Sequence, residues 1–476
     1  MKISQIYNLN KSQAELDFVD IDIENDLPLF LDPYFLSKKT YNWSFEATLT
    51  LKDFFQKLID LIRSGNEEGA KSLFEHLTEP NTTCLGLSNG IPQGRGVGNN
   101  DTDKIYDNLL RSRAIETGLI QDIEDNILFI DKFGKDKLSD MATNIITKHL
   151  IDYTINQCNL HSIPLTPNVN TGYYWDKEIN DWNNSYSDML VIDGRKFIFV
   201  PKGIVSFSKS YTPKKYYNKF VLDFLRNEHI KLNSVLVQNR KDGTPYVTKK
   251  SLIEEFPFSK DFLRRFTNEH PNVLEQFKSS AEDIESLSDL DIYELDTKAI
   301  AINLISELRQ ISSGNNDASK YHNLIIGILE MLFYPNLINP IKEREIHEGR
   351  KRIDITFDNA SKNGIFYRLS NNLNIPCPYI FIECKNYSKD VRNPELDQIA
   401  GRFSTNRGKV GFLLFRSIDN FNLFIERCKD TYTDGRGLII PIVDDDLILL
   451  LENYNVMDRN FLEEFISNRV REITIS

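Results

Sequence analysis

The C-terminal third of this 476-residue chain is expected to be α/β, with an α+β region ahead of it. Three observations carry that expectation. From residue 321 onward, segments with apolar residues at helical spacing alternate with short runs of β-branched and aromatic residues. Their order, a helix, two strands, then helix, strand, helix, strand and helix, builds a sandwich of helices around a mixed central sheet. Hydrophobic content of 41%, with 11% aromatics, suffices for sizeable packed cores and argues against wholesale disorder.

Three regions are expected: an α+β domain over 1–201, a mainly helical middle over 202–311, and the α/β domain over 321–476. Leu16–Ile23 and Leu27–Leu31 read as short strands, and Leu51–Ile62 as a helix. The glycine-rich stretch Gly86–Gly98 lacks the Gly-Lys-Ser/Thr ending of a phosphate-cradling loop, so a structural or substrate-contacting loop is the reading. Residues 103–160 are expected to be helical, with Ser139-Asp140 capping Met141–Tyr153. The acids Asp122, Glu124, Asp125, Asp136 and Asp140 read as a solvated, cap-rich face. Met189–Ile192 and Lys196–Val200 flank Asp193-Gly194, a hairpin with its turn chemistry in place. Asp188 and Lys202 at its ends read as inert.

Helical and mixed structure is expected over 203–300, a helix over Ile300–Leu308, and a linker at Ser312–Asp317. The helix Tyr321–Tyr334 must end before Pro335. Arg352–Phe357 and Tyr379–Asn386 follow as strands, separated by an Asn-, Gly- and Pro-rich hairpin excursion or lid. Helix Glu395–Phe403, buried strand Lys409–Phe415, helix Ile418–Cys428, strand Gly437–Ile442 and helix Asp444–Asn453 complete the domain. His322 and His347 could be site residues, but a lone histidine is more often structural, and that is the reading for both.

Net charge is −12, yet the charge is polarised. Lys202–Arg265 holds ten Lys and four Arg against six acids, a balance of +8, whereas Ala281–Asp296 has seven acids and no base. Tyr211, Tyr216, Tyr217, Phe220 and Phe224 interleave with the lysines of the basic segment. Two readings stay open there: phosphate contact with base stacking, or an amphipathic helix with aromatic core and solvated lysines. No run of about 18 apolar residues occurs, and the N-terminus lacks a signal peptide's apolar core. Five scattered cysteines without a C-x-x-C pair fit reduced thiols, so a cytoplasmic protein with no membrane segment is expected.

The strand Tyr379-Ile-Phe-Ile-Glu-Cys-Lys-Asn386 concentrates the chemistry. Side chains alternate along a strand, so Glu383 and Lys385 emerge on one face, and Ile382, Cys384 and Asn386 on the other. If Asp354 reaches the same edge from its strand, two carboxylates and an ammonium converge. Two such carboxylates can hold a divalent cation, and the lysine can orient a water and offset charge on a phosphate in flight.

Asp354 followed by Glu383-x-Lys385 resembles the signature of the PD-(D/E)xK, or restriction-endonuclease-like, nucleases, with Ile353 in place of the usual proline. The resemblance covers roughly residues 320–455. It implies a restriction-endonuclease-like α/β sandwich and a metal-dependent endonuclease, acting above all on DNA, in bacterial defence against phage. It further implies Mg²⁺ or Mn²⁺ on Asp354 and Glu383 with the Cys384 backbone carbonyl. Glu330, on the preceding helix, and Gln398, after Asn393-Pro394, would act as outer ligands through water. Lys385 would position the attacking water. Arg352, Arg402, Arg407 and Lys409 would meet backbone phosphates, and Lys214, Lys215 and Lys219 would add contacts from the basic middle. DNA is the expected partner, with a second copy or another defence subunit also compatible. The rival reading is a catalytically inert nucleic-acid-binding or complex-assembly subunit.

Overall fold

The computed structural model describes residues 1–37, 42–86, 129, 134–206, 212–280, 296–346, 351–455 and 458–475. Most of the glycine-rich loop, the acids at 122–125, nearly all of the acidic run, Lys209, Tyr211 and His347 lie outside these residues, as does the Arg352 side chain.

Helix α1 (Asn42–Arg63) begins nine residues before the expected Leu51, and buries Ala47, Leu51, Phe54, Phe55 and Leu58 along one stripe. The expected Met141–Tyr153 helix is instead two, α2 (Lys135–Ile145) and α3 (Thr147–His161), meeting at Ile146. Asp193 and Gly194 both have positive φ, and the turn joins β2 (Asp181–Ile192) to β3 (Arg195–Phe197), as expected. The preceding strand β1 (Thr166–Asp176) pairs along β2, a hairpin with no counterpart among the expectations. Its strands are rich in Asn, Thr and Ser and largely wet, so they lack the apolar alternation that announces a strand. Leu16–Ile23 is extended and buried at Phe18, Val19 and Ile21, but it forms only isolated bridges, and of the second expected strand Phe30–Leu31 pairs with Val205–Ser206 while Leu27 makes an isolated bridge to Leu85.

The basic middle folds as α4 (Leu222–Lys231), α5 (Lys249–Glu255), α6 (Lys260–Glu269) and α7 (Pro271–Ser280), led in by a helical run from Pro213. Tyr216 and Tyr217 are buried, and Tyr216 packs against Phe277 and shares a hydrogen bond with Thr267 at 2.9 Å. Phe224 packs on Phe266 and His270. These aromatics are core, so the stacking half of the open reading does not apply to them. Lys214 and Lys219 remain exposed. Residues from Ile3 to Phe277 share one core, so packing joins the expected first and second regions.

The second core belongs to α8 (Thr297–Gln310), α9 (Ala318–Phe333), β4 (Leu337–Ile346), β5 (Lys351–Asn359), α10 (Gly364–Asn371), β6 (Tyr379–Lys385), α11 (Asn393–Ala400), β7 (Val410–Phe415), α12 (Phe421–Thr433), β8 (Leu438–Val443), α13 (Asp444–Glu452) and α14 (Asn460–Thr474). The five strands lie in the order β8-β7-β6-β5-β4, forming the mixed sheet. β6, β7 and β8 run parallel, and β5 is antiparallel to both β4 and β6. All six residues of β7 are buried, as expected for a strand covered on both faces. The anticipated excursion between β5 and β6 contains helix α10, whose Ile365, Phe366 and Leu369 are buried, Phe366 against Phe333 and Phe412. The anticipated linker is pinned: Asn386 Nδ2 donates to the Ser312 and Gly314 carbonyls at 2.9 and 2.8 Å. Helix α8, assigned by sequence to the middle region, packs its Ala301, Leu304, Ile305 and Leu308 into this second core. Among the described residues no helix is long and apolar enough to cross a membrane.

Candidate active site

The site forms where β6 ends. The ladder between β5 and β6 registers Ile355 with Ile382, so the next positions, Asp354 and Glu383, stand level on neighbouring strands. Ile382 and Cys384 turn into the core, and Glu383 and Lys385 take the opposite face, where α11 lies. The alternation and the convergence both follow the sequence expectation.

Asp354 Oδ2 accepts from the Cys384 backbone N–H at 3.1 Å. Lys385 Nζ donates to Glu383 Oε1 at 2.6 Å and to Gln398 Oε1 at 3.1 Å. Pro394 near the start of α11 and the Arg392–Glu395 capping box fix where that helix begins, which sets Gln398 above the lysine. Arg402, just beyond the helix end at Gly401, places its guanidinium on Glu383 Oε2. Both oxygens of a fully buried carboxylate are thus held by cations. Burial lowers the Arg402 pKa, and the nearby Asp354 carboxylate opposes that shift.

His322 on α9, read from the sequence as structural, stands in the site, its Nε2 at 3.2 Å from the Cys384 carbonyl, which accepts when the ring carries its proton there. Burial lowers its pKa, with Asp354 pulling the other way. The sequence displayed the helix and the histidine, but not which turn of the helix would meet the end of β6.

Several expected residues lie elsewhere. Glu330 sits eight residues beyond His322, about 12 Å along α9, and its Oε2 receives Lys202 Nζ at 3.3 Å. It is held by Lys202 in the buried seam between the two cores, away from the end of β6. Lys409 precedes β7 at the sheet end opposite Lys385, since the parallel register sets Phe381 beside Gly411 and Lys385 beside Phe415. Its Nζ lies 3.4 Å from the Gly435 carbonyl. Arg407 folds back on its own turn, donating to the Arg402 carbonyl at 3.2 Å. Arg402 is buried against Glu383 and does not face outward as a phosphate contact would.

Among the described residues no group of three or more His, Cys, Asp or Glu side chains gathers as an ion site. The donors present are two carboxylates and the Cys384 carbonyl, all hard oxygens, and Asp354 Oδ1 has no hydrogen-bond partner among the described residues. That set fits Mg²⁺ or Mn²⁺, which are held through one or two carboxylates and keep several waters. The Cys384 thiol is buried, which pushes its pKa well above the ordinary value and keeps it out of the donor set.

Residues 8–212 match the family described as a domain of unknown function (DUF8370). That match ends well before Asp354, so it covers the N-terminal region and none of the residues at the end of β6. No curated protein matches the chain.

Proposed function

We propose that the protein is a metal-dependent endonuclease that hydrolyses phosphodiester bonds in DNA. The observation that carries this reading is the meeting of Asp354, Glu383, Lys385 and Gln398 at the end of one sheet strand. Asp354, Glu383 and the Cys384 carbonyl would hold Mg²⁺ or Mn²⁺. A bound ion of this kind offsets charge on a phosphate oxygen and makes a bound water more acidic. The chain's own contribution lies around it. Lys385 carries a fixed ammonium that can hold a water or face the charge developing on phosphorus-bound oxygens. Gln398 keeps that ammonium aimed, and His322 orients the Cys384 carbonyl. The resemblance to the PD-(D/E)xK nucleases extends the proposal to the destruction of phage DNA in the bacterial cytoplasm.

A second reading, an inert nucleic-acid-binding subunit, draws on one observation: Lys385 and Arg402 already occupy both oxygens of Glu383. Incubating the full chain with plasmid and phage DNA separates the two. The nuclease cleaves with Mg²⁺ or Mn²⁺ and stops in EDTA. Asp354→Asn, Glu383→Gln and Lys385→Ala should each lower the rate at least about a hundredfold in a chain that still folds, with Glu383→Gln melting lowest because it strands two buried cations. Wild-type rates in any of these variants, or undiminished cleavage in chelator, would sink the reading. DNA binding without cleavage under either metal would establish the inert subunit.

A further inference from the structure

We infer that Arg402 is an internal stand-in for the divalent cation, released only when a nucleic-acid phosphate draws it away, so that metal and substrate bind cooperatively. This rests on the nuclease reading above. The guanidinium contacts Glu383 Oε2 and lies within the field of Asp354, so it occupies one of the two carboxylates that the cation would need and is near the other. With Lys385 on the other oxygen of Glu383, the four side chains carry two negative and two positive charges and are neutral together. Adding a divalent ion to that neutral cluster, buried at Glu383, Lys385 and Arg402, would leave two uncompensated positive charges, which is strongly unfavourable in a low-dielectric site. Removing Arg402 first leaves a net charge of −1, a site that accepts the ion.

Arg402 is built to leave. It lies outside α11, in the turn that Gly401 opens and the Ser404–Gly408 bridge closes. Arg407 holds the Arg402 backbone through its carbonyl, so the side chain can swing on a fixed hinge with α11 intact. A guanidinium that gives up a carboxylate needs another anion, and a phosphate offers the planar two-oxygen edge that Arg grips best. The backbone phosphate next to the site is the natural acceptor. The same side chain therefore serves as guard without DNA and as phosphate contact with it.

The test measures Mn²⁺ binding to the intact chain, from the free-ion paramagnetic signal, with and without an uncleavable phosphorothioate duplex. Without duplex, Arg402→Gln should bind Mn²⁺ at least about tenfold more tightly than wild type. Duplex should tighten Mn²⁺ binding in wild type and leave Arg402→Gln almost unchanged, and Arg402→Gln should hold the duplex more weakly. Arg402→Lys keeps the charge and secures the fold. It should fall between the two, because an ammonium cannot make the two-pronged contact. Equal Mn²⁺ affinity for wild type, Arg402→Gln and Arg402→Lys without duplex overturns the guard and leaves the nuclease reading standing. If none of them binds Mn²⁺ better than Asp354→Asn, with or without duplex, both proposals fall.

Discussion

Gln398 illustrates how a neutral amide serves a charged cluster. Its Oε1 and Glu383 Oε1 are the two acceptors that define the direction of the Lys385 ammonium. Gln398→Ala removes one of them, and the cleavage rate should fall about tenfold or more while DNA affinity stays within about twofold. Single-turnover rates and a binding isotherm on the same duplex decide it, and an affinity loss matching the rate loss would make Gln398 a substrate contact. At this scale the acid, acid and lysine were legible because a strand's period of two dictates which side chains share a face. Arg402 was legible only as a basic residue. Its partner depends on where the turn after Gly401 points, and that is set by packing between α11 and β6.

Helix α9 serves two sites at once. Its first turns bring His322 to the end of β6, and two turns later Glu330 faces Lys202, whose ammonium also lies 4.1 Å from the centre of the Tyr334 ring. Gly327 lies between them, and the absence of a side chain there gives Lys11 and Glu15 room against the helix. Burial pushes the Glu330 pKa up to about 8, against the pull of Lys202. The folded chain therefore keeps this proton over the range from 4.5 to about 8, where the unfolded chain has already lost it. The resulting stabilisation is complete below the unfolded value and drains away as pH rises through the folded one, by up to about 1.4 kcal/mol per unit. Burial also raises Asp140 and Asp444, to about 7 and about 6, so both titrate in the same window, and urea melts across it should show a slope in wild type that is clearly shallower in Glu330→Gln. Lys202→Met, which strands the carboxyl, should cost about 3 kcal/mol at the alkaline end, and adding Glu330→Gln should recover most of it. An undiminished slope in Glu330→Gln would place the titrating group elsewhere.

Over the whole molecule, positive charge and the candidate site lie in different cores. Tyr321–Ser476 has 20 basic and 22 acidic residues, about neutral, whereas Lys202–Arg265 carries +8. Counterion release from phosphates supplies most non-specific affinity, so DNA binding should depend on the basic middle. Reversing Lys214, Lys215 and Lys219 to Glu should weaken binding to one duplex and flatten its salt dependence by about two to three units of slope. An unchanged slope would show those lysines to be solvated surface. The comparison belongs in the intact chain. A fragment starting at 321 would uncover α9, which packs against α8 and receives Lys11 and Lys202 from the first core. Asn339 N–H to Asp17 at 3.2 Å and Gln157 to the Pro340 carbonyl at 3.3 Å tie the same junction.

What the sequence determined by itself is local: the order of helices and four of the five strands in the α/β region (β4 appears only in the structure), the fully apolar β7, the Asp193-Gly194 turn, and the face that Glu383 shares with Lys385. Each follows from a period, a turn dihedral or a cap, interactions that span a few residues. The tertiary structure decided where separately encoded segments meet. It paired Glu330 with Lys202 instead of the β6 site, laid Arg402 on Glu383, folded α10 where a hairpin excursion or lid was expected, and drew α8 into the second core. Those outcomes turn on burial: a charged side chain that packing encloses takes whichever opposite charge lies within reach, and its neighbours in sequence do not say which one that will be.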